Sequence, residues 1–95
     1  MPGQRRARYS WDQLHAYTLD PVRNETGQIL RYRVVVAGDV LGTIEHPGGG
    51  HDGWIARDTH AMSLPHRAGN GRYAKNRRHA VVDLLMALGY TGHER

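Results

Sequence analysis

The chain has 95 residues, enough for one domain with one small core, and 13 Lys+Arg against 9 Asp+Glu give it a formal net charge of +4. Cys is absent, which excludes disulfides and thiolate chemistry, and Phe is absent, so the aromatic mass rests on two Trp and five Tyr. No apolar run approaches the ~18 residues of a membrane span, and Met1 to Arg6 lead into no apolar signal stretch, so the expectation is a soluble, cytoplasmic domain without a membrane partner.

Residues 1–9, MPGQRRARY, lack apolar periodicity and read as a flexible basic tail carrying Arg5, Arg6 and Arg8, ahead of a single domain over 10–92. Ser10 with Gln13 fits a capping box and argues a short helix. His15-Ala16-Tyr17-Thr18-Leu19 carries strand propensity instead, and the balance favours a strand over about 14–19. Residues 20–27, DPVRNETG, read as a turn rich in Asp, Pro, Asn and Gly.

Residues 28–37, QILRYRVVVA, alternate with period two and are rich in β-branched residues, which predicts a strand. Gly38-Asp39 suits a two-residue type II′ loop into a second strand over 40–46. That loop pairs Ala37 with Val40, Val35 with Gly42, Arg33 with Ile44 and Arg31 with His46. One face then carries Leu30, Tyr32, Val34, Val36 and Leu41 and reads as core. The other carries Arg31, Arg33, Val35, Ile44 and His46 and faces partly to water.

Residues 47–53, PGGGHDG, read as loop, 54–58 as a short strand and 59–72 as loop. Val81, Leu84, Leu85 and Leu88 stand at i, i+3, i+4 and i+7, one helical stripe. Asn76 is the expected N-cap and Gly89 the expected residue after the helix, which runs over about 77–88. The fold class is α+β: a small antiparallel sheet of three to four strands with one C-terminal helix packed on one face.

Twelve of the 13 basic residues are Arg, and Lys75 is the only Lys. GC-rich coding favours Arg and Gly over Lys and Phe, which suggests a high-GC bacterium or its phage, so the placement of Arg informs more than its total. No carboxylate lies between Asp58 and Asp83, where Arg67, Arg72, Lys75, Arg77 and Arg78 stand with His60, His66 and His79. Cations in the first turn of a helix oppose its dipole. Arg77, Arg78 and His79 are placed there, which points to an anion held by backbone N–H groups and guanidinium together.

A sheet face with Arg31 and Arg33 can present Arg to guanine edges in the major groove, and a basic arm adds backbone contacts. A plain solvated face accounts for the same alternation. His46, His51, His60 and His66 are spaced H-x4-H-x8-H-x5-H, which fits no zinc pattern; they read as loop histidines. Gly48-Gly49-Gly50 lacks the Lys and Ser/Thr of a phosphate loop, and neither Ser10 nor Ser63 sits in a nucleophile frame. No enzyme activity, cofactor or metal is expected.

A three-stranded antiparallel sheet followed by one helix, Arg on one strand face and Trp54 at the third strand together resemble the small sheet-reading DNA-binding domains. Plant AP2 domains and the arm-binding domains of phage integrases are examples. The likeness covers about residues 28–88; the Gly-rich 47–53 loop and the N-terminal segment depart from the AP2 pattern. It implies DNA binding through the sheet.

The expected function is therefore a small nucleic-acid-binding protein, accessory or regulatory, with duplex DNA the favoured partner. Its expected contacts are Arg31, Arg33, Arg67, Arg72, Lys75, Arg77, Arg78, Arg5, Arg6 and Arg8. Two alternatives stand beside it. One is a protein-interaction module for an acidic or host partner, or for a second copy in a homodimer, using Trp11, Val35 and Ile44 as an apolar patch. The other is a receptor for a small anionic ligand.

Overall fold

The computed structural model describes residues 9–49, 51–67, 69 and 71–90. In chain order the elements are α1 (Trp11–His15), β1 (Thr18–Arg23), β2 (Ile29–Val36), β3 (Asp39–Glu45), β4 (Ile55–Arg57) and α2 (Arg77–Ala87). The strands form one antiparallel sheet in the order β1-β2-β3-β4, with α2 packed against β3 and β4. The expected α+β architecture is thus present, with an added short helix at the start.

That helix corrects the strand expected over 14–19. Ser10 accepts from the backbone N–H of Gln13, and the Gln13 side chain accepts from the Ser10 N–H, so the capping box closes in full. Leu14 turns into the core. Strand β1 begins only at Thr18 and runs through Asp20-Pro21, where a turn was expected. Pro21 is tolerated because β1 is an edge strand, where its missing N–H falls on the solvent side of the ladder. The true turn is 24–28, held by Asn24 Oδ1, which accepts from the backbone N–H of Thr26 at 3.0 Å and of Gln28 at 3.0 Å.

The β2–β3 register also differs. Val36 pairs with Asp39, so the loop is Ala37-Gly38, both with positive φ (51° and 86°), the type I′ pattern rather than II′. The ladder then shifts between Val34 and Val35: Val35 opposes Val40, Val34 opposes Gly42, and Leu41 is the extra residue. Arg33 therefore faces Thr43 and not Ile44, and Tyr32 faces Ile44. Ile44 is fully buried in the core instead of lying on the arginine face, and it is unavailable to an apolar surface patch. Leu30, expected in the core, is 46% exposed because α2 covers β3 and β4 rather than the start of β2.

The core joins Val34, Val36, Leu41, Ile44 and Ala56 of the sheet to Ala80, Val81, Leu84 and Leu85 of α2, with Leu14 of α1 and Tyr90. The expected stripe on α2 is the buried one, and Leu88 packs at its margin. Gly42 leaves no room for a side chain between sheet and helix. A Cβ there would fall 2.9 Å from Leu84 Cδ1 and closer still to the Arg57 carbonyl oxygen.

Helix α2 is capped as the residues dictate. Asn76 Oδ1 accepts from the His79 N–H at 2.9 Å. At the other end Gly89, φ 99°, closes a Schellman motif in which Tyr90 N–H reaches Leu85 O and Gly89 N–H reaches Met86 O.

Candidate nucleic-acid interface

The open face of the sheet carries Arg31 and Arg33, but both are engaged by acids. Arg33 Nη1 lies 2.8 Å from Asp20 Oδ2. Glu45 bridges two guanidinium groups, with Arg31 Nε at 3.2 Å on one oxygen and Arg57 Nε at 3.2 Å on the other. The one-residue register change brings this about, because it sets Thr43 and Glu45, rather than Ile44 and His46, beside the two arginines. The face is a mixed ion network of three arginines and two acids around Thr43, not a strip of unpaired cations.

The start of α2 is different in kind. Among the described residues, no Asp or Glu side chain pairs with the side chains of Arg67, Arg72, Lys75, Arg77 or Arg78. Two of these cations lie over aromatic rings instead. The Arg77 guanidinium carbon is 5.4 Å from the Tyr32 ring centroid, and that of Arg72 is 5.6 Å from the Tyr73 centroid. Tyr32 packs beside Trp54 at 6.1 Å. The His46 ring lies 3.9 Å from Trp54, fixed there because its Nδ1–H donates to Gly53 O at 2.8 Å. His51 packs on Tyr73 at 5.8 Å.

Backbone pairing holds this set together. Trp54 and Ala74 exchange two hydrogen bonds of 2.8 and 3.0 Å, which ties the loop before α2 to the sheet. Gly53 permits the approach: a side chain there would meet Ala74 O at 2.8 Å, and its φ is 105°. The outcome is a surface of aromatic and imidazole rings, Tyr32, Trp54, His46, Tyr73 and His51, set with Arg72 and Arg77.

The remaining expected contacts divide. Lys75 and Arg67 are exposed on the same segment. Arg78 turns to the other side of α2, into a groove of about 700 Å³ between the helices whose walls include Trp11, Leu14, Val81 and Leu85. Arg5, Arg6 and Arg8 lie outside the described residues.

Sequence reasoning missed the group that anchors this segment. Asp83, buried within α2, accepts from the Arg67 backbone N–H at 2.7 Å and faces His66 Nδ1 at 2.7 Å. His66 was read as a loop histidine, yet its side chain is only 4% exposed. The pair forms the floor of a recess of about 300 Å³ whose walls include Trp54, Tyr73 and Arg72. A signal existed: Asp83 interrupts a helix whose neighbours Val81, Leu84 and Leu85 are all core, and a carboxylate there needs a buried partner.

Among the described residues no cluster of three or more His, Asp or Glu is placed to hold a metal, and no helix is long and apolar enough to cross a membrane. In comparisons with known proteins, no family model, no curated protein and no solved structure matches the chain.

Proposed function

We propose that this protein binds nucleic acid through the surface at the start of α2, as an accessory or regulatory factor without catalytic activity. One observation carries the reading: Arg72 and Arg77 lie on aromatic rings and have no carboxylate partner among the described residues, whereas Arg31, Arg33 and Arg57 are all paired. Cations left without acids attract phosphate, and rings beside them offer faces to bases. Arg67, Lys75 and the basic N-terminal segment add to the positive potential that steers a polyanion.

The sheet-reading resemblance favours duplex DNA by way of Arg31 and Arg33, whereas the surface at α2 carries no preference of its own for the duplex form. With Arg31 and Arg33 engaged by Glu45 and Asp20, the contacts assigned to them pass to Arg72 and Arg77. The Arg- and Gly-rich composition supports a phage or high-GC bacterial setting, and the role calls for the cytoplasm.

The test is fluorescence anisotropy on duplex DNA from about 50 to 200 mM salt, with wild type, Arg72→Ala and Arg77→Ala. Each phosphate contact removed should lower the slope of log K against log salt by about 0.9. Undetectable binding of duplex and single strand alike at the lowest salt refutes the reading.

A second reading rests on the groove between α1 and α2, with its apolar walls and Arg78 and His15 at hand. An acidic amphipathic segment fits that lining. A protein partner retained at high salt, where nucleic acid is released, supports it over the first.

A further inference from the structure

The nucleic-acid reading leaves open which form of nucleic acid the surface takes, and the recess over His66 and Asp83 bears on that. We propose that this recess seats one unpaired nucleobase, so that the protein prefers single-stranded to duplex nucleic acid. The inference rests on the reading above and sharpens it.

Three features of the recess point this way. Its volume, about 300 Å³, equals the share of roughly ten water molecules, a scale suited to one planar base and its surroundings and not to a double helix. Trp54 and Tyr73 stand in its walls, and stacking on such rings is available only to a base that has left its own stack. Arg72 lies at the recess and over the Tyr73 ring, placed for the phosphate of the nucleotide whose base is inside.

The floor is polar and held in one orientation. Asp83 Oδ2 holds His66 Nδ1 at 2.7 Å, which fixes the plane of the ring and leaves Nε2 as its second polar atom. Gly69 passes that edge without a side chain; a Cβ at 69 would come within 3.7 Å of Nε2. A polar floor of this kind suits the hydrogen-bonding edge of a base, which in a duplex is occupied by the pairing partner.

The rest of the ring surface agrees. His46 on Trp54, and Tyr32 beneath Arg77, continue the ring cluster beyond the recess, with the His46 ring exposed to a neighbouring base. The sheet's arginine face, the geometry that suits a major groove, is the part whose guanidinium groups are engaged by acids.

The experiment uses a fluorescein-labelled DNA strand of mixed sequence, about 12 nucleotides long. It is offered alone, annealed to its complement, and as a strand of the same length in which every base is replaced by an abasic site. The expected result is single-strand binding tighter than duplex binding by on the order of tenfold. Binding of the abasic strand should fall by a similar factor, since stacking on one aromatic side chain accounts for a change of that order. Tyr73→Ala should weaken single-strand binding with the salt slope unchanged, whereas Arg72→Gln should lower the slope by about 0.7.

Because the abasic strand alters the ligand and not the protein, misfolding of a variant cannot produce its result. Equal or tighter binding of duplex, or an abasic strand bound as well as the intact one, overturns the base-seating proposal and leaves the nucleic-acid reading in place. Binding of neither form removes both.

Discussion

Asp83 does more for this protein than any single arginine. A carboxylate in the interior of a helix must find donors, and Asp83 finds His66 Nδ1 and the Arg67 N–H. It thereby fastens the loop after β4 to α2. Asp83→Ala leaves the His66 ring and the Arg67 N–H without their acceptor and should destabilise the fold by about 3 kcal/mol. Denaturant unfolding measures this directly, and a change below about 1 kcal/mol would show that the loop is held by other means.

Asp58 does similar work at the surface. Its Oδ1 accepts from the N–H groups of His60 and Met62 and shapes the turn 58–62. Its pKa is lowered below the ordinary 3.8, first by the Met62 backbone hydrogen bond. A carboxyl depressed in the folded state contributes stability that is present above the ordinary value and lost as pH falls through the folded one. The Met62 amide resonance should therefore shift only below about pH 4, and Asp58→Asn should abolish that titration.

Among the elements, α2 and β2 were legible because their periodicities, 3.6 and two, extend over at least eight residues. The short α1 was not, although its capping box stood in plain view. Five residues carry too little periodic signal to outweigh the strand propensity that follows. The β2–β3 turn misled by one position because Gly can open a II′ loop or close an I′ loop. The bulge at Leu41 then flipped the faces of β3, setting Thr43 and Glu45 rather than Ile44 and His46 beside the arginines.

The bulge at Leu41 also places Gly42 against Leu84 of α2 and the Arg57 carbonyl of β4. Gly42→Ala should cost about 1–3 kcal/mol by overpacking, read as a drop in melting temperature of several degrees. An unchanged melting temperature would mean that α2 and the Arg57 backbone of β4 can both give way without loss.

Across the molecule, charge is sorted rather than spread. Asp20 and Glu45 stand on the open sheet face, while the approach to α2 holds Arg67, Arg72, Lys75 and Arg77 with Asp83 buried beneath. The acid-free interval between Asp58 and Asp83 was visible in the chain, and it identifies the cationic side of the protein. The rings that accompany it were not, because Tyr32, His46, Trp54 and Tyr73 come from four separate segments and meet only once the sheet has closed. Composition can show an excess of Arg, but only the pairing of strands decides which guanidinium groups meet acids.

Pro21 carries a consequence for how such a protein behaves in numbers. Copies assembled side by side on a long polymer bring their sheets near one another, and an exposed ladder of unpaired amides then invites fusion into fibres. Here the β1 edge lacks a donor at Pro21. The β4 edge is three residues long and already partly occupied, by the Leu64 N–H on Ala56 O and by the Arg57–Ser63 bridge. Neighbouring copies can therefore crowd without knitting together along either sheet edge.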